Sequence, residues 1–163
     1  MIWFNKPKTQ SPSSDLAHSI LYDETTFYKQ FTQDLLRAKE EVIIESPFIC
    51  SRRMKDLKPI FERLVNKEIK VFIFTREPKD HDSEEFEKQS ENEIHYLETL
   101  GVQVLICIGN HHRKLAMIDR EILWEGSLNI LSQTHSREIM RRINSEHLTK
   151  EMFDFLKFSR WIY

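Results

Sequence analysis

Apolar residues recur along this chain with two periods, one helical and one extended. Apolar positions three or four residues apart predict four helices, over residues 25–40, 53–67, 84–100 and 148–158. Short apolar runs predict six strands, over residues 42–45, 69–75, 102–108, 114–119, 121–125 and 137–143. The turn-like pair Asp119-Arg120 separates two of these runs and indicates a hairpin, and Gly101 follows the third helix as a stop signal.

The order of these elements indicates the fold class. Strands alternate with helices in the first half of the chain, which is typical of βαβ units and a parallel sheet, and the second half adds hairpin strands. We therefore expect an α/β fold with a mixed, largely parallel β-sheet sandwiched by helices. Residues 22–163 form this domain. Residues 1–21, with Pro7, Pro12 and several serines, predict a flexible lead-in or linker, or what remains of a cut from a larger protein.

Composition narrows the class of protein. The chain has 163 residues, 40% of them hydrophobic, which suits one domain with a core. Its net charge of −2 means that any polyanion must be bound by a local patch. Cys50 and Cys107 do not form a disulfide framework and fit a reducing compartment. Neither a signal peptide nor an apolar run long enough to span a membrane is visible, so we expect a cytoplasmic protein without a membrane partner.

Six residue types at fixed spacings form the most informative motif of the chain. The pattern is H-x-K-x4-D-x6-G-S-x-N, made by His112, Lys114, Asp119 and the run Gly126-Ser127-Leu128-Asn129. Side chains alternate along a strand, so His112 and Lys114 point to the same side. A neutral imidazole can attack phosphorus, and a lysine beside it can stabilise charge on the phosphoryl oxygens. The motif therefore indicates attack on a phosphodiester without a metal.

This pattern resembles the H-K-D signature of the phospholipase D superfamily. The resemblance is strongest over residues 110–142, and a weaker one extends over most of the chain from about Tyr22. The segment Glu-Val-Ile-Ile-Glu-Ser-Pro-Phe at residues 41–48 looks like that family's opening strand. The resemblance implies a phospholipase D-like α/β/α sandwich, and a two-step reaction through a phosphohistidine. By itself it implies neither a lipid nor a nucleic acid as substrate.

The resemblance also implies roles for single residues. His112 is the nucleophile, and Lys114 and Asn129 contact the phosphoryl oxygens. The leaving oxygen needs a proton from a second acid, which the family takes from a second copy of the motif. This chain has one copy, so we predict a two-fold homodimer in which the partner's His112 is the acid.

Three further residues complete the predicted catalytic set. Ser127 either holds its loop or contacts the phosphate. Asp119 has the opposite parity from His112, so we expect it to organise the hairpin turn. Glu138 is the candidate carboxylate that orients the His112 ring, as in relatives, although the loop before it is shorter than theirs.

Basic residues near the motif are candidates for substrate binding. Arg52 and Arg53 follow the first predicted strand, and four arginines lie around the motif: Arg113, Arg137, Arg141 and Arg142. They either follow a sugar-phosphate backbone or are ordinary solvated charges. The acidic third helix should face away from a polyanion. A metal site from His111, His112 and His135 is not favoured, because neighbouring histidines on a strand point to opposite faces, and no cofactor is implied.

These observations favour a metal-independent phosphodiesterase that cleaves nucleic acid, an endonuclease of weak sequence specificity with DNA the preferred substrate. Small single-motif members of the family are mostly nucleases. One alternative is a phospholipase D-type lipid hydrolase, which the aromatic last helix leaves open. Another is a non-catalytic nucleic-acid-binding or dimerisation module of a larger helicase or restriction enzyme. The presence of His112, Lys114 and Asn129 argues against that second alternative.

Overall fold

The structure, a computed structural model, describes Leu16 and residues 18–163. The helices are α1 (Phe27–Arg37), α2 (Ser51–Asn66), α3 (Glu84–Leu100) and α4 (Glu146–Phe155). The strands are β1 (Ile20–Asp23), β2 (Glu41–Glu45), β3 (Lys70–Arg76), β4 (Gln103–Cys107), β5 (Leu115–Ile118), β6 (Ile122–Gly126) and β7 (Ile139–Asn144). Short 3-10 helices occur at Pro78–Asp80 and Phe158–Arg160.

The seven strands form one mixed sheet in the order β1-β7-β6-β5-β2-β3-β4. The α/β sandwich is confirmed, but the expectation of a largely parallel sheet is only partly correct. Strand β3 is parallel to both β2 and β4, whereas the remaining four neighbouring pairs are antiparallel. The βαβ units produce the parallel part. The β5–β6 hairpin and the returning strands β7 and β1 produce the rest, because hairpin connections reverse the chain.

Two apolar clusters lie on opposite faces of the sheet, as alternation along the strands requires. On β2, Val42 and Ile44 pack into the larger cluster with the buried faces of α1, α2 and α3. Ile43 between them belongs to the smaller cluster under α4, together with Phe153 and Phe158. Of the aromatic residues in the C-terminal segment, Phe153 and Phe158 are therefore core, whereas Phe155, Trp161 and Tyr163 are exposed.

The helix ends follow local sequence signals. Gly101 closes α3 with φ 109°, a left-handed conformation that glycine adopts without strain, as predicted. Ser145 caps α4, where its side chain accepts the Leu148 N–H, so that helix begins before the predicted residue 148.

The first described strand was not predicted. β1 begins at Ile20, so its first two residues lie within the segment that the sequence assigned to the lead-in. It pairs with β7 along its whole length. The rest of the predicted lead-in, residues 1–15 and 17, lies outside the described residues. Within the described part of the chain, every helix is too short or too polar to cross a membrane.

Candidate active site

The β5–β6 hairpin positions the motif. His112 and Lys114 directly precede β5, and Gly126 is the last residue of β6. The Gly126 N–H donates a hydrogen bond to the Lys114 carbonyl at 3.3 Å, which joins the two segments at the open end of the hairpin. Ser127 follows immediately, so the first and last parts of the motif meet there.

A cleft of about 650 Å³ opens at this end of the hairpin. It is lined by His112, Lys114 and Ser127, so the structure brings these three predicted catalytic residues together. Arg141 of β7 adds a guanidinium to the same cleft. The cleft therefore combines an imidazole with two basic side chains, Lys114 and Arg141.

His112 and Lys114 are in direct contact. The Lys114 ammonium donates to His112 Nδ1 at 2.7 Å and to the His112 carbonyl at 2.6 Å. Because an ammonium only donates, Nδ1 is the acceptor and a neutral His112 carries its proton on Nε2. The His112 side chain is otherwise exposed to solvent, as a nucleophile requires.

The charge of Lys114 is set by two opposing influences. Partial burial lowers the pKa of Lys114, and the nearby Glu138 carboxylate raises it. Glu138 therefore belongs electrostatically to the site, although it does not line the cleft.

Glu138 does not make the contact with His112 that the resemblance implied. Its carboxylate accepts hydrogen bonds from the hydroxyls of Ser127 and Ser136, the latter at 2.7 Å. Glu138 lies directly before β7, and the Ser127 N–H donates to the Ile139 carbonyl at 2.9 Å. This pairing holds the carboxylate beside Ser127. Of the two roles left open for Ser127, the structure shows a loop-holding contact.

Gly126 is required by packing rather than by backbone freedom. A Cβ at this position would lie 2.1 Å from the Ile139 carbonyl oxygen and 2.9 Å from the Met140 Cα. Backbone atoms cannot move aside as a flexible side chain can. The space that a side chain would occupy at Gly126 is thus filled by β7.

Asn129 is held in a turn after β6 and is not among the residues that line the cleft. Its carbonyl accepts the N–H groups of Ser132 and Gln133, at 3.0 and 2.7 Å. Its side-chain oxygen Oδ1 is buried and has no hydrogen-bond partner among the described residues. An amide oxygen only accepts hydrogen bonds, so a donor can satisfy this atom and a phosphate oxygen cannot.

Asp119 lies at the other end of β5, in the hairpin turn, and not with His112. Its carboxylate accepts the backbone N–H groups of Lys39, Glu40 and Glu41 at 2.8 to 3.2 Å. Its φ of 52° is left-handed, a strained conformation that this network stabilises. The position of Asp119 agrees with a role in the turn. Asp119 lies at the opposite end of β5 from His112 and Lys114.

Arg113 is committed to a buried carboxylate. It donates two hydrogen bonds to Glu45 on β2, at 2.7 and 2.8 Å, and the Glu45 side chain is fully buried. This bidentate pair fixes the backbone next to His112. We expected Arg113 to bind substrate. Although it borders the cleft, its guanidinium is already engaged in this structural pair.

His111 lies on the other side of the same carboxylate. Its Nε2 is buried, 3.8 Å from Glu45 Oε1, and forms no hydrogen bond within the described residues. Burial first, and then the charges of Arg113 and Lys114, lower the pKa of His111 to about 4. His111 is therefore neutral at neutral pH and does not share the exposure of His112.

The other predicted substrate-binding arginines are not among the residues that line the cleft. Arg53 donates to the Gln133 carbonyl and stacks over the Tyr28 ring at 3.7 Å, so it holds the loop after β6. The Arg52 guanidinium lies 3.0 Å from His135 Nε2. Arg137 is exposed and has no hydrogen bond or ion pair among the described residues.

Sequence reasoning missed the wall of the cleft on the α4 side. Leu21, Glu125 and Arg141 occupy one cross-strand row with Leu115, so they face the same side of the sheet. Of these residues the sequence named only Arg141, as one of the basic residues around the motif. The row itself depends on strand register, which a sequence without strand pairing does not supply. Three exposed apolar side chains form what we call the apolar rim: Leu21, Ile139 and Phe155.

Among the described residues, no three histidine, cysteine, aspartate or glutamate side chains are placed to hold a metal ion. His111, His112 and His135 are separated by their other contacts: His111 faces Glu45, His112 faces Lys114, and His135 faces Arg52.

Several solved structures share this fold. Nuc from Salmonella typhimurium, a phospholipase D family member, matches with a TM-score of 0.70 and 16% identity over 88% of this chain and 95% of that one. NucT from Helicobacter pylori matches with a TM-score of 0.65 and 20% identity over 85% and 92%. TrmBL2, an archaeal chromatin protein with a novel mode of DNA binding, matches with a TM-score of 0.60 and 12% identity over 95% and 55%.

Sequence comparison gives the family. Comparison with curated proteins returns no match. The family model described as the PLD-like domain of cardiolipin synthase matches residues 31–157, which include the whole H-K-D motif. With the cleft geometry and the shared fold, this match shows that the chain belongs to the phospholipase D superfamily and is an enzyme of the phosphodiesterase type.

Proposed function

We propose that this protein is a metal-independent endonuclease of weak sequence specificity, with DNA as its preferred substrate. The observation that carries the proposal is the exposed His112 ring beside the Lys114 ammonium in an open cleft. The guanidinium of Arg141 in the same cleft supports a polyanionic substrate. The likeness in fold to a DNA-binding chromatin protein agrees with this substrate class.

In the proposed reaction His112 Nε2 attacks phosphorus, a P–N bond forms, and the P–O bond to the leaving oxygen breaks. The leaving oxygen takes a proton from a second acid. Water then attacks the phosphohistidine, gives a proton to that acid's conjugate base, and breaks the P–N bond. This requires an unprotonated Nε2. We propose that the bound phosphate draws Lys114 away from His112, so that the imidazole proton can move to Nδ1.

The second acid is proposed to be the partner subunit's His112 in a two-fold homodimer. The cleft of the described chain is lined by one histidine, so it lacks the second acid that the reaction needs. The apolar rim beside His112 is supporting evidence, since exposed Leu21, Ile139 and Phe155 are suited to contact with a second copy. Asn129 and Glu138 are proposed to complete each site, Asn129 by an amide N–H to the phosphate and Glu138 by holding Lys114 and Ser127.

Cleavage assays test the chemistry. Labelled DNA, RNA and phosphatidylcholine are incubated in parallel with the wild type and with His112→Asn, with and without EDTA. We expect cleavage of DNA that survives EDTA and is lost in His112→Asn, while circular dichroism shows an unchanged fold. Full activity of His112→Asn, or loss of wild-type activity with EDTA, would overturn the mechanism.

Subunit mixing tests the shared site. Wild type and His112→Asn are mixed in varied proportions and allowed to exchange subunits. If each site needs both histidines and pairing is random, an equal mixture should keep about a quarter of the wild-type rate, against about half for independent sites. A linear dependence on the wild-type fraction, or a monomer by sedimentation, would exclude the shared site.

A lipid phosphodiesterase is the second candidate. The matched family model is named for cardiolipin synthase, and the apolar rim of Leu21, Ile139 and Phe155 could contact acyl chains. The phosphatidylcholine arm of the assay decides between the two. Cleavage of lipid but not of DNA would favour this candidate.

We also propose a reducing, cytoplasmic environment. Cys50 and Cys107 are both free thiols, and burial raises the pKa of Cys107 to about 11, so it is protonated and unreactive at neutral pH.

A further inference from the structure

A second cleft, of about 410 Å³, lies beside the catalytic histidine and has aromatic side chains on its walls. One side is made by His81, in the segment before α3, and by Phe86, in the first turn of α3. The other side is made by the start of α2 and the loop after β6, with Arg52 and His135. Phe48, directly after β2, belongs to the same cleft. We call this space the aromatic cleft.

The aromatic rings form a continuous series that starts at the catalytic residue. The Phe48 ring lies 6.4 Å from the His112 ring, centre to centre, and 4.8 Å from the His81 ring. His81 in turn lies 6.3 Å from Phe86, with the two rings nearly parallel at 30°. Phe86 is 49% exposed, so it remains accessible to a ligand from solvent. The series thus runs outward from the site of attack on phosphorus.

The charges around the aromatic cleft separate it from a phosphate site. One side of the aromatic cleft carries the positive Arg52 and the polar His135, which are in contact. Arg76 lies over the Phe48 ring at 5.2 Å. Asp82 lines the other side, so cations do not surround the whole space. Burial lowers the pKa of His81, which therefore presents a neutral ring. Rings with limited positive charge suit the base of a nucleotide better than its phosphate.

We propose that the aromatic cleft binds an unpaired nucleobase next to the scissile phosphate, so that the enzyme acts on single-stranded nucleic acid. The inference rests on the proposed nuclease function and specifies its substrate. Aromatic side chains bind single strands by stacking on bases, which is independent of sequence because every base has a flat face. A base inside a duplex is already stacked and paired, and reaches such a cleft only after it leaves the helix. Phe86 is the exposed stacking platform, and Arg52 binds the adjoining backbone.

This position also modifies one expectation from the sequence. The acidic third helix was expected to face away from a polyanion. Phe86 and Gln89 bring the first turns of α3 to the aromatic cleft. At this place the helix contributes a ring and an amide to the wall, while its acidic first turn disfavours a phosphate there.

Binding measurements test the aromatic cleft. Fluorescence anisotropy with a labelled thymine oligonucleotide is measured in the His112→Asn background, which prevents cleavage. Phe86→Ala should weaken binding by roughly 5- to 100-fold, the range for loss of one base–ring stack. Phe86→Leu should weaken it similarly, because it keeps apolar bulk and loses the ring. Tyr163→Ala, at an aromatic residue 95% exposed and outside both clefts, is the matched control and should bind normally.

Two further probes separate stacking from charge. An oligonucleotide of abasic sites should bind the His112→Asn protein that retains Phe86 only weakly. Its affinity should be similar to that of the thymine oligonucleotide for the protein that carries both His112→Asn and Phe86→Ala. A double-stranded probe of the same sequence should bind several-fold more weakly than the single strand. Equal binding of the two strand types, or unchanged binding by Phe86→Ala, would overturn the proposal.

Failure of this proposal can be distinguished from failure of the proposed function. If the wild type cleaves DNA and Phe86→Ala binds as tightly as its parent, the nuclease stands and the aromatic cleft is not a base site. If the wild type cleaves neither DNA nor RNA, the proposed function fails and the single-strand inference fails with it.

Discussion

The two ends of strand β5 carry parts of one sequence motif and differ in how their polar groups are satisfied. At the turn end, the Asp119 carboxylate accepts hydrogen bonds from three consecutive backbone N–H groups. At the open end, His112 is exposed and contacts only Lys114 by hydrogen bond, and behind it Asn129 Oδ1 is buried with no partner among the described residues.

This difference separates structure from chemistry within the motif. A polar group whose hydrogen bonds are all made within the protein stabilises the fold and has no capacity left to bind a ligand. The His112 ring and the Lys114 ammonium line the cleft and remain open to a bound substrate. Residues at the open end should therefore affect the reaction more than stability, and Asp119 should do the opposite.

The largest effect is expected at Lys114. Lys114→Met keeps a side chain of similar length and removes the positive charge that we propose stabilises the phosphoryl oxygens in the transition state. We expect kcat on DNA to fall by about 10²–10³-fold, the range for loss of one preorganised electrostatic contact. Steady-state kinetics and the thermal midpoint Tm are the measurements.

The matched comparison is Lys150→Met, which alters an exposed lysine paired with Asp154 on α4. It should change neither kcat nor Tm appreciably. A Lys114→Met variant with normal kcat, or one whose loss of rate is explained by unfolding, would contradict the expectation that the open end of β5 affects the reaction more than stability.

Arg113 tests whether the position next to His112 is structural. Arg113→Met leaves the buried Glu45 carboxylate without its bidentate partner. Removing one member of a buried pair is strongly destabilising, but the Arg113 side chain is half exposed, so we expect a loss of about 2 kcal/mol in the free energy of unfolding.

Arg137→Met is the matched change at an exposed, unpaired arginine, and urea unfolding compares the two. It should leave stability unchanged and weaken DNA binding, with a smaller salt dependence. If Arg113→Met is as stable as the wild type, Arg113 returns to the substrate-binding set that the sequence proposed.

Asp119→Ala should reduce stability and spare the reaction. It removes charge-assisted hydrogen bonds to Lys39, Glu40 and Glu41 from a turn with left-handed backbone. We expect a loss of about 2 kcal/mol, which for a chain of this size lowers Tm by roughly 4–8 °C. Asp154→Ala, at an exposed carboxylate, should shift Tm little. A large fall in kcat for a folded Asp119→Ala protein would place Asp119 in the reaction after all.

The sequence predicted the elements better than their pairing. Apolar periodicity identified all four α-helices and six of the seven described strands. It missed β1, a short strand with exposed Ile20 and Leu21, because edge pairing with β7 and not burial holds it. The sheet is less parallel than predicted, since the direction of a strand depends on which neighbour it joins and single-strand patterns do not contain that information.

The site followed the same rule. The spacing of the motif within one hairpin indicated that His112, Lys114 and Ser127 lie close together, and all three line one cleft. Contacts between distant segments were less accessible from sequence. Arg113 pairs with Glu45, 68 residues earlier. No local pattern indicates that pair, just as none indicates the ring series that crosses from Phe48 to Phe86.

The smallest effect is expected at His111, and it depends on pH. The pKa of His111 is lowered to about 4 in the fold, from an ordinary 6.5. The unfolded chain therefore binds a proton between these values that the folded chain does not, and stability falls as pH decreases from 6.5 toward 4. Arg113, Lys114 and the burial of the ring all disfavour the charged form, while Glu45 lies too far away for a hydrogen bond.

His111→Gln removes this titration and keeps a polar side chain of similar length. Between pH 7 and pH 5 the wild type should lose on the order of 1–2 kcal/mol more stability than His111→Gln. Urea unfolding at several pH values measures the difference. Parallel curves for the two proteins would mean that His111 takes up its proton as readily in the fold as in the unfolded chain. His112 is exposed, whereas His111 is enclosed beside the buried Glu45–Arg113 ion pair. Parallel curves would therefore show that this enclosure does not affect how readily His111 binds a proton.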